Sequence, residues 1–262
     1  MTNTVMKWAM RLLCLVGSMA AITALQVPRL NQLQTLEQDL TESELIRQDN
    51  ETRLQLQLLN QLPSFGFDNL VANWAFLSFA QYFGDNQARE LTGYQLSPEF
   101  FEVILDKDPY FWHAYLFLSS STTLYAGQPE RSVSMMNETL PLLSPTVPDR
   151  SYYIWRWKAV DELLFLGDSA AAQRSLETAA RWASVHPDTE SQLVAELSRQ
   201  TAAALANNPD SLEAQVSAWS SVFYNAFDDD VRQLAVRRIQ ELGADASITP
   251  DGGLEVILPS QE

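Results

Sequence analysis

Residues able to do chemistry are few in this chain, and they stand apart from one another. It has two histidines. His113 lies just before Ala114-Tyr115, and His186 lies directly before Pro187. Neither has a cysteine beside it or a second histidine at i+4, so zinc-ligand spacing is missing and both read as structural imidazoles. Cys14 is the single cysteine, so neither a disulfide nor a thiolate metal site can form within one chain. Asp106 and Asp108 flank Lys107 and could in principle serve as acid and base. Their place before Pro109 instead reads as a helix end running into the cap of the next. Asp228-Asp229-Asp230 offers carboxylates to a hard cation but lacks the spaced ligands of a calcium loop. It reads as an N-cap, with acids favourably placed on the helix dipole ahead of Val231. Gly-x-Ser-x-Gly, P-loop, Gly-x-Gly-x-x-Gly and His-Glu-x-x-His patterns are all missing. The expectation is a protein without catalytic residues, cofactor, metal or small-molecule substrate.

Recognition residues are better represented. Trp74, Trp112, Trp157, Trp182 and Trp219 fall at helical core spacings and read as packing residues. Trp155 and Arg156 stand off the face defined by Tyr153, Trp157 and Val160. Trp and Arg are enriched at binding hot spots, so this pair is the candidate contact for a protein partner.

The elements that must position these residues are helical. Hydrophobic residues make up 46% of the 262, glycines number nine, and Ala, Leu, Gln and Glu abound over β-branched runs. The formal charge of −16 would repel a phosphate backbone, which excludes nucleic acid as a partner. Lys7 and Arg11 precede a run without charge over 12–27, and residues 5–27 are long enough to enter a lipid bilayer. A signal anchor over 1–28 is the first reading. A cleaved signal peptide ending near Ser18-Met19-Ala20 competes with it, and an ordinary buried helix is a third possibility. Cys14 lies too early in the run for a lipoprotein signal. After the run only Arg29 is basic within the first fifteen or so residues, which places the N-terminus in the cytoplasm and the body across the membrane.

Residues 29–64 read as a polar helical stalk, interrupted near Asp49-Asn50, whose leucine heptads fail early. Pro63-Ser64 and Gly66 open the body, expected over 65–245. In its first helix Trp74, Leu77, Ala80 and Gln81 follow the helical period, and Phe76, Phe79 and Phe83 fill a neighbouring face. A helix is therefore expected to pack on each side and Leu77 to be buried, with Asp68 as cap. Further helices are expected from Ser97-Pro98 to Asp108 and over 112–125, 129–143, 149–166, 168–185, 188–206, 211–227 and 229–242. Pro109, Pro145 and Pro187 recur at spacings of 36 and 42, and Gly84, Gly127 and Gly167 at 43 and 40. Such helix–Gly–helix–Pro units are the signature of helical repeats. Over 246–262, two β-prone runs flank Pro250-Asp251-Gly252-Gly253 and predict a short terminal hairpin packed on the last helix or on a partner.

Gly167-Asp168, then Ala172, Leu176 and Ala179, then His186-Pro187, resembles the second half of a tetratricopeptide repeat lengthened by about a turn. Asp108-Pro109 followed by Ala114-Tyr115 resembles the junction between two such repeats. Trp74 to Tyr115 is similar to a group of bacterial membrane-anchored, tetratricopeptide-like proteins, although the Trp-Leu-Gly core signature is intact in no unit. The resemblance covers roughly 68–243. It implies an all-α, tetratricopeptide-like solenoid of helical hairpins that works as a scaffold or assembly factor for protein partners at a membrane. An extracytoplasmic enzyme with a buried carboxylate pair, and a ligand-binding protein secreted after signal cleavage, are the alternatives.

Overall fold

The computed structural model describes residues 41–259 together with Met19, Thr23 and Gln26. The expected membrane segment over 5–27 and most of the stalk before Thr41 lie outside the described residues. Among the described residues no helix is long and apolar enough to cross a membrane. The chain divides after Gln48, and the unit from Asp49 onward is mostly helical, ending in a two-stranded hairpin.

α1 (Glu42–Gln61) passes through Asp49-Asn50 without the expected interruption. Asp49 explains why: its two oxygens take the guanidinium of buried Arg89 at 3.1 and 3.2 Å. Leu56 joins the core, so the second half of α1 belongs to the folded body.

α2 (Asp68–Gly84) buries Ala72, Ala75 and Phe79. Trp74 is 48% exposed and Leu77 is 64% exposed, which corrects the expected buried face. The helix is apolar around most of its circumference, so hydrophobic period alone does not choose the inward side. Two alanines on the inner face let α4 (Ser97–Lys107) approach closely, and Phe79 meets Phe101 with ring centroids 4.6 Å apart. Phe67, rather than Asp68, occupies the N-cap position. A short α3 (Asn86–Thr92), capped by Asp85, bridges α2 and α4 where the sequence predicts only a turn.

α5 (Trp112–Leu118) runs on as a wide π-helical segment, Ser119–Tyr125, and α7 (Tyr152–Val160) does the same over Asp161–Phe165. The two endings match bond for bond. Ala126 N–H donates to Ser121 O and Gln128 N–H to Thr122 O; 40 residues on, Leu166 N–H donates to Asp161 O and Asp168 N–H to Glu162 O. Gly127 and Gly167 sit between those donors, both with φ of +66°, a conformation that favours glycine. Each chain then turns into a helix, α6 (Pro129–Thr139) and α8 (Ser169–Ala183).

α8 packs on both α7 and α9 (Thr189–Asn207). α10 (Leu212–Tyr224) folds back onto α7 and its π segment, and α11 (Asp229–Glu241) packs on α10. The predicted hairpin forms from β1 (Asp245–Ile248) and β2 (Leu254–Ile257), antiparallel, with Ala246 opposite Val256. Ala244, Ala246, Leu254 and Val256 cover Trp219, Phe223 and Ile239, which is how a two-stranded ribbon gains enough burial to persist.

Candidate functional site

The wide turns bring polar side chains into the middle of the helix stack. Adding a residue to a helical turn displaces the rest of the helix, and π segments concentrate at functional sites for that reason. At the start of the second one Asp161 is 1% exposed. Its Oδ1 accepts from Ser119 at 2.8 Å, and its Oδ2 accepts from Thr123 at 2.9 Å and Ser132 at 2.8 Å. The carboxyl thus ties α7 to both the first π segment and α6. Burial pushes its pKa up to about 7, against the lowering effect of the three hydroxyl donors.

Glu162 points elsewhere. It forms an ion pair with Lys158 one turn back and accepts from Ser175 of α8 at 2.6 Å, while Lys158 donates to the same Ser175 at 3.1 Å. All three are buried, and a buried charge pair survives only when its remaining valences are satisfied this way. At the corresponding places in the first π segment stand Ser121 and Thr122, also buried, whose hydroxyls find no partner among the described residues.

Asp161 lines a cavity of about 30 Å³ with Ser119, Tyr125, Trp157, Phe165 and Phe227. That volume suits about one water. The segment after α10 lines it on one side: Phe227 stacks on Phe117 at 4.7 Å, and Tyr125 donates its hydroxyl to Asp228. Burial, and then the Asp228 carboxylate, push the Tyr125 phenol up. Asp228 also caps α11 through Val231 N–H at 2.8 Å, the role expected for the acidic triplet. Chemically, a carboxyl titrating near neutrality could exchange a proton with a water in the cavity. Both of its oxygens are engaged by hydroxyl donors.

The other residues singled out in the sequence do not converge here. Asp106 pairs with Lys107 at 2.9 Å on the surface, and Asp108 accepts from Tyr110 N–H at 3.0 Å in the turn. His113 lies against its neighbour Trp112, and His186 Nε2 is 2.8 Å from Pro145 O. Among the described residues no group of three His, Cys, Asp or Glu side chains is placed to hold a metal ion.

Trp155 and Arg156 part company. Trp155 meets Trp182 of α8 edge to face at 5.7 Å, with Lys158 Nζ 5.6 Å from its ring centroid. Arg156 turns toward α9 and donates to Ser198 Oγ at 2.9 Å. Sequence reasoning missed Lys158, Asp161 and Glu162. The available signal was a pair of acids, one of them four residues after a lysine, inside an otherwise apolar helix.

The outer surface holds a second feature. Leu70, Trp74 and Leu77 of α2 and Leu54, Leu58 and Leu62 of α1 are exposed, as are Phe65 and Phe67 between the helices. Phe65 is 86% exposed and adopts φ of +50°. From Leu54 to Ala88 the only charged residues are Asp68 and Asp85. Comparisons with protein-family models, with curated proteins and with solved structures find no match to this chain.

Proposed function

We propose that this chain is a non-catalytic, membrane-anchored scaffold or assembly factor that binds a partner protein through a tetratricopeptide-like helical body. The observation that carries the proposal is the set of exposed apolar side chains, in a stretch nearly free of charge, along α1 and along α2. Leu70, Trp74 and Leu77 follow helical spacing, as do Leu54, Leu58 and Leu62, which is the spacing of a helix–helix seam. Large apolar side chains exposed at such spacing on each of two helices, beyond a scatter of single ones, mark an interaction site. The occupant is an apolar or amphipathic helix of a different protein: a second copy would bring two chains of −16 together, which like-charge repulsion opposes.

The paired endings at Gly127 and Gly167, 40 residues apart, support a repeat reading. Residues 5–27 supply the anchor, with the N-terminus cytoplasmic and the body on the far side. The rival reading, an enzyme using a carboxylate, has Asp161 in its favour through its pKa. The occupied oxygens and the small cavity weigh against it.

The test is a Trp74→Glu, Leu77→Glu double variant expressed at native level. Both side chains are exposed, so its thermal midpoint should stay near wild type while the partner-containing species on a native gel disappears. A variant that remains folded and keeps that species removes this face from the function.

A further inference from the structure

The turn that joins α1 to α2 carries a residue that such turns avoid. Phe67 N–H donates to Ser64 O at 2.8 Å, with φ of +50° at Phe65 and +88° at Gly66, the φ pair of a type I′ turn. Gly, Asn and Asp dominate those positions because they tolerate a left-handed backbone, whereas a bulky phenylalanine is strained there. Packing within the body does not offset that strain, since Phe65 is 86% exposed. Phe67 is 64% exposed, and Leu62 and Leu70 on either side of the turn are exposed as well.

Charge and reach say what covers this turn. The chain carries −16, so anionic headgroups repel most of its surface. From Leu54 to Ala88 there is no Lys or Arg and only Asp68 and Asp85 are acidic, so this stretch is neither repelled strongly nor attracted by charge. What it offers is Phe and Leu, the side chains with which peripheral elements enter the lipid–water interface. Reach rests on the reading of residues 5–27 as an anchor. Residues 28–40 can span at most about 45 Å. The length of α1 is roughly 30 Å. Its far end can therefore return to the surface from which the chain emerges. A tether also keeps the bilayer at high effective concentration, so a few apolar side chains suffice. A protein partner would need a pocket shaped to two ring-bearing residues on a tight turn; a fluid interface needs none.

We propose that the Phe65–Phe67 turn inserts into the interface of a neutral lipid bilayer and seats the helical body on the membrane that holds its anchor. Insertion by about 5–10 Å takes up the turn. It leaves Leu77, about 14 Å along α2 from Asp68, to the partner helix. That helix is then met just above the lipid headgroups.

The experiment uses the full chain reconstituted in phosphatidylcholine vesicles. Cys14→Ser removes the native thiol. A nitroxide is then attached through Phe65→Cys or, as control, through Glu241→Cys at an exposed position of α11. At position 65 dissolved oxygen should relax the label more than a water-soluble nickel chelate does, and at 241 the order should reverse. Adding Phe67→Glu, also at an exposed position, should leave the thermal midpoint unchanged and return the label at 65 to water. Insertion that persists in Phe67→Glu would belong to the label itself and overturn the proposal. So would a label at 65 as open to the chelate as the one at 241. A label at 65 shielded from both reagents overturns it too, because a second copy seated on the turn would do that. Alkaline extraction separates the insertion from the anchor. A chain that resists extraction with its turn in water keeps the anchor and loses the insertion. A chain that alkali strips, although its turn lay in lipid at neutral pH, loses the anchor and keeps the insertion. A chain that never joins the vesicles overturns both.

Discussion

At the scale of single residues, the telling contrast is between Asp161 and Glu162. They are neighbours in sequence and both are buried, yet one is held by three neutral hydroxyls and the other by a lysine and a serine. The difference has a consequence in pH. Asp161 has its pKa raised from 3.8 to about 7 by burial. The folded state therefore binds a proton that the unfolded chain has already released, and the contribution to stability is fully present below about pH 4 and is lost as pH rises through about 7. Asp161→Asn keeps an acceptor for the hydroxyls and cannot ionise. Chemical denaturation between pH 4 and 8 should show wild type losing stability across that window and the variant losing a few kcal/mol less. Parallel curves would mean that Asp161 does not titrate in this range. None of this was legible in the sequence, because an Asp-Glu pair in an apolar helix looks like a pair at its solvated edge until the helices on three sides are known.

At the scale of elements, punctuation was legible and rotation was not. Ser97-Pro98 starts α4, Pro129 starts α6, and Gly127 and Gly167 end the segments that precede them, as their fixed or left-handed φ values require. The phase of α2 was hidden because Trp74, Leu77, Phe76 and Phe79 offer apolar groups in every direction. The π segments were hidden because an i→i−5 bond imposes no residue preference that periodicity can register. α3, at seven residues, falls below what an amphipathic pattern can reveal. The corrected phase makes a prediction. Phe79→Ala should cost about 3–5 kcal/mol, as a buried aromatic leaving a cavity does, whereas Leu77→Ala should change stability by less than about 0.5 kcal/mol. Urea denaturation of the pair decides it: equal losses would restore Leu77 to the core.

At the scale of the whole molecule, the proposed working parts are an anchor, an acidic helical body and one apolar face. Lys7 and Arg11 stand before the uncharged run and only Arg29 soon after it, so a reporter active only outside the cytoplasm, fused after Glu262, should be active. Protease added to that side should remove the body; a body cut only from the cytoplasmic side reverses the orientation. The central claim is that the α1–α2 face receives a helix from another protein. A photo-crosslinking residue placed at Leu77 in living cells, with a second at exposed Glu241 on α11 as control, tests it most directly. The expected result is a discrete adduct at Leu77 between this chain and one other protein, with none at Glu241, and loss of that adduct when Trp74→Glu is added. Adducts at Leu77 that contain only lipid or a second copy of this chain would contradict it.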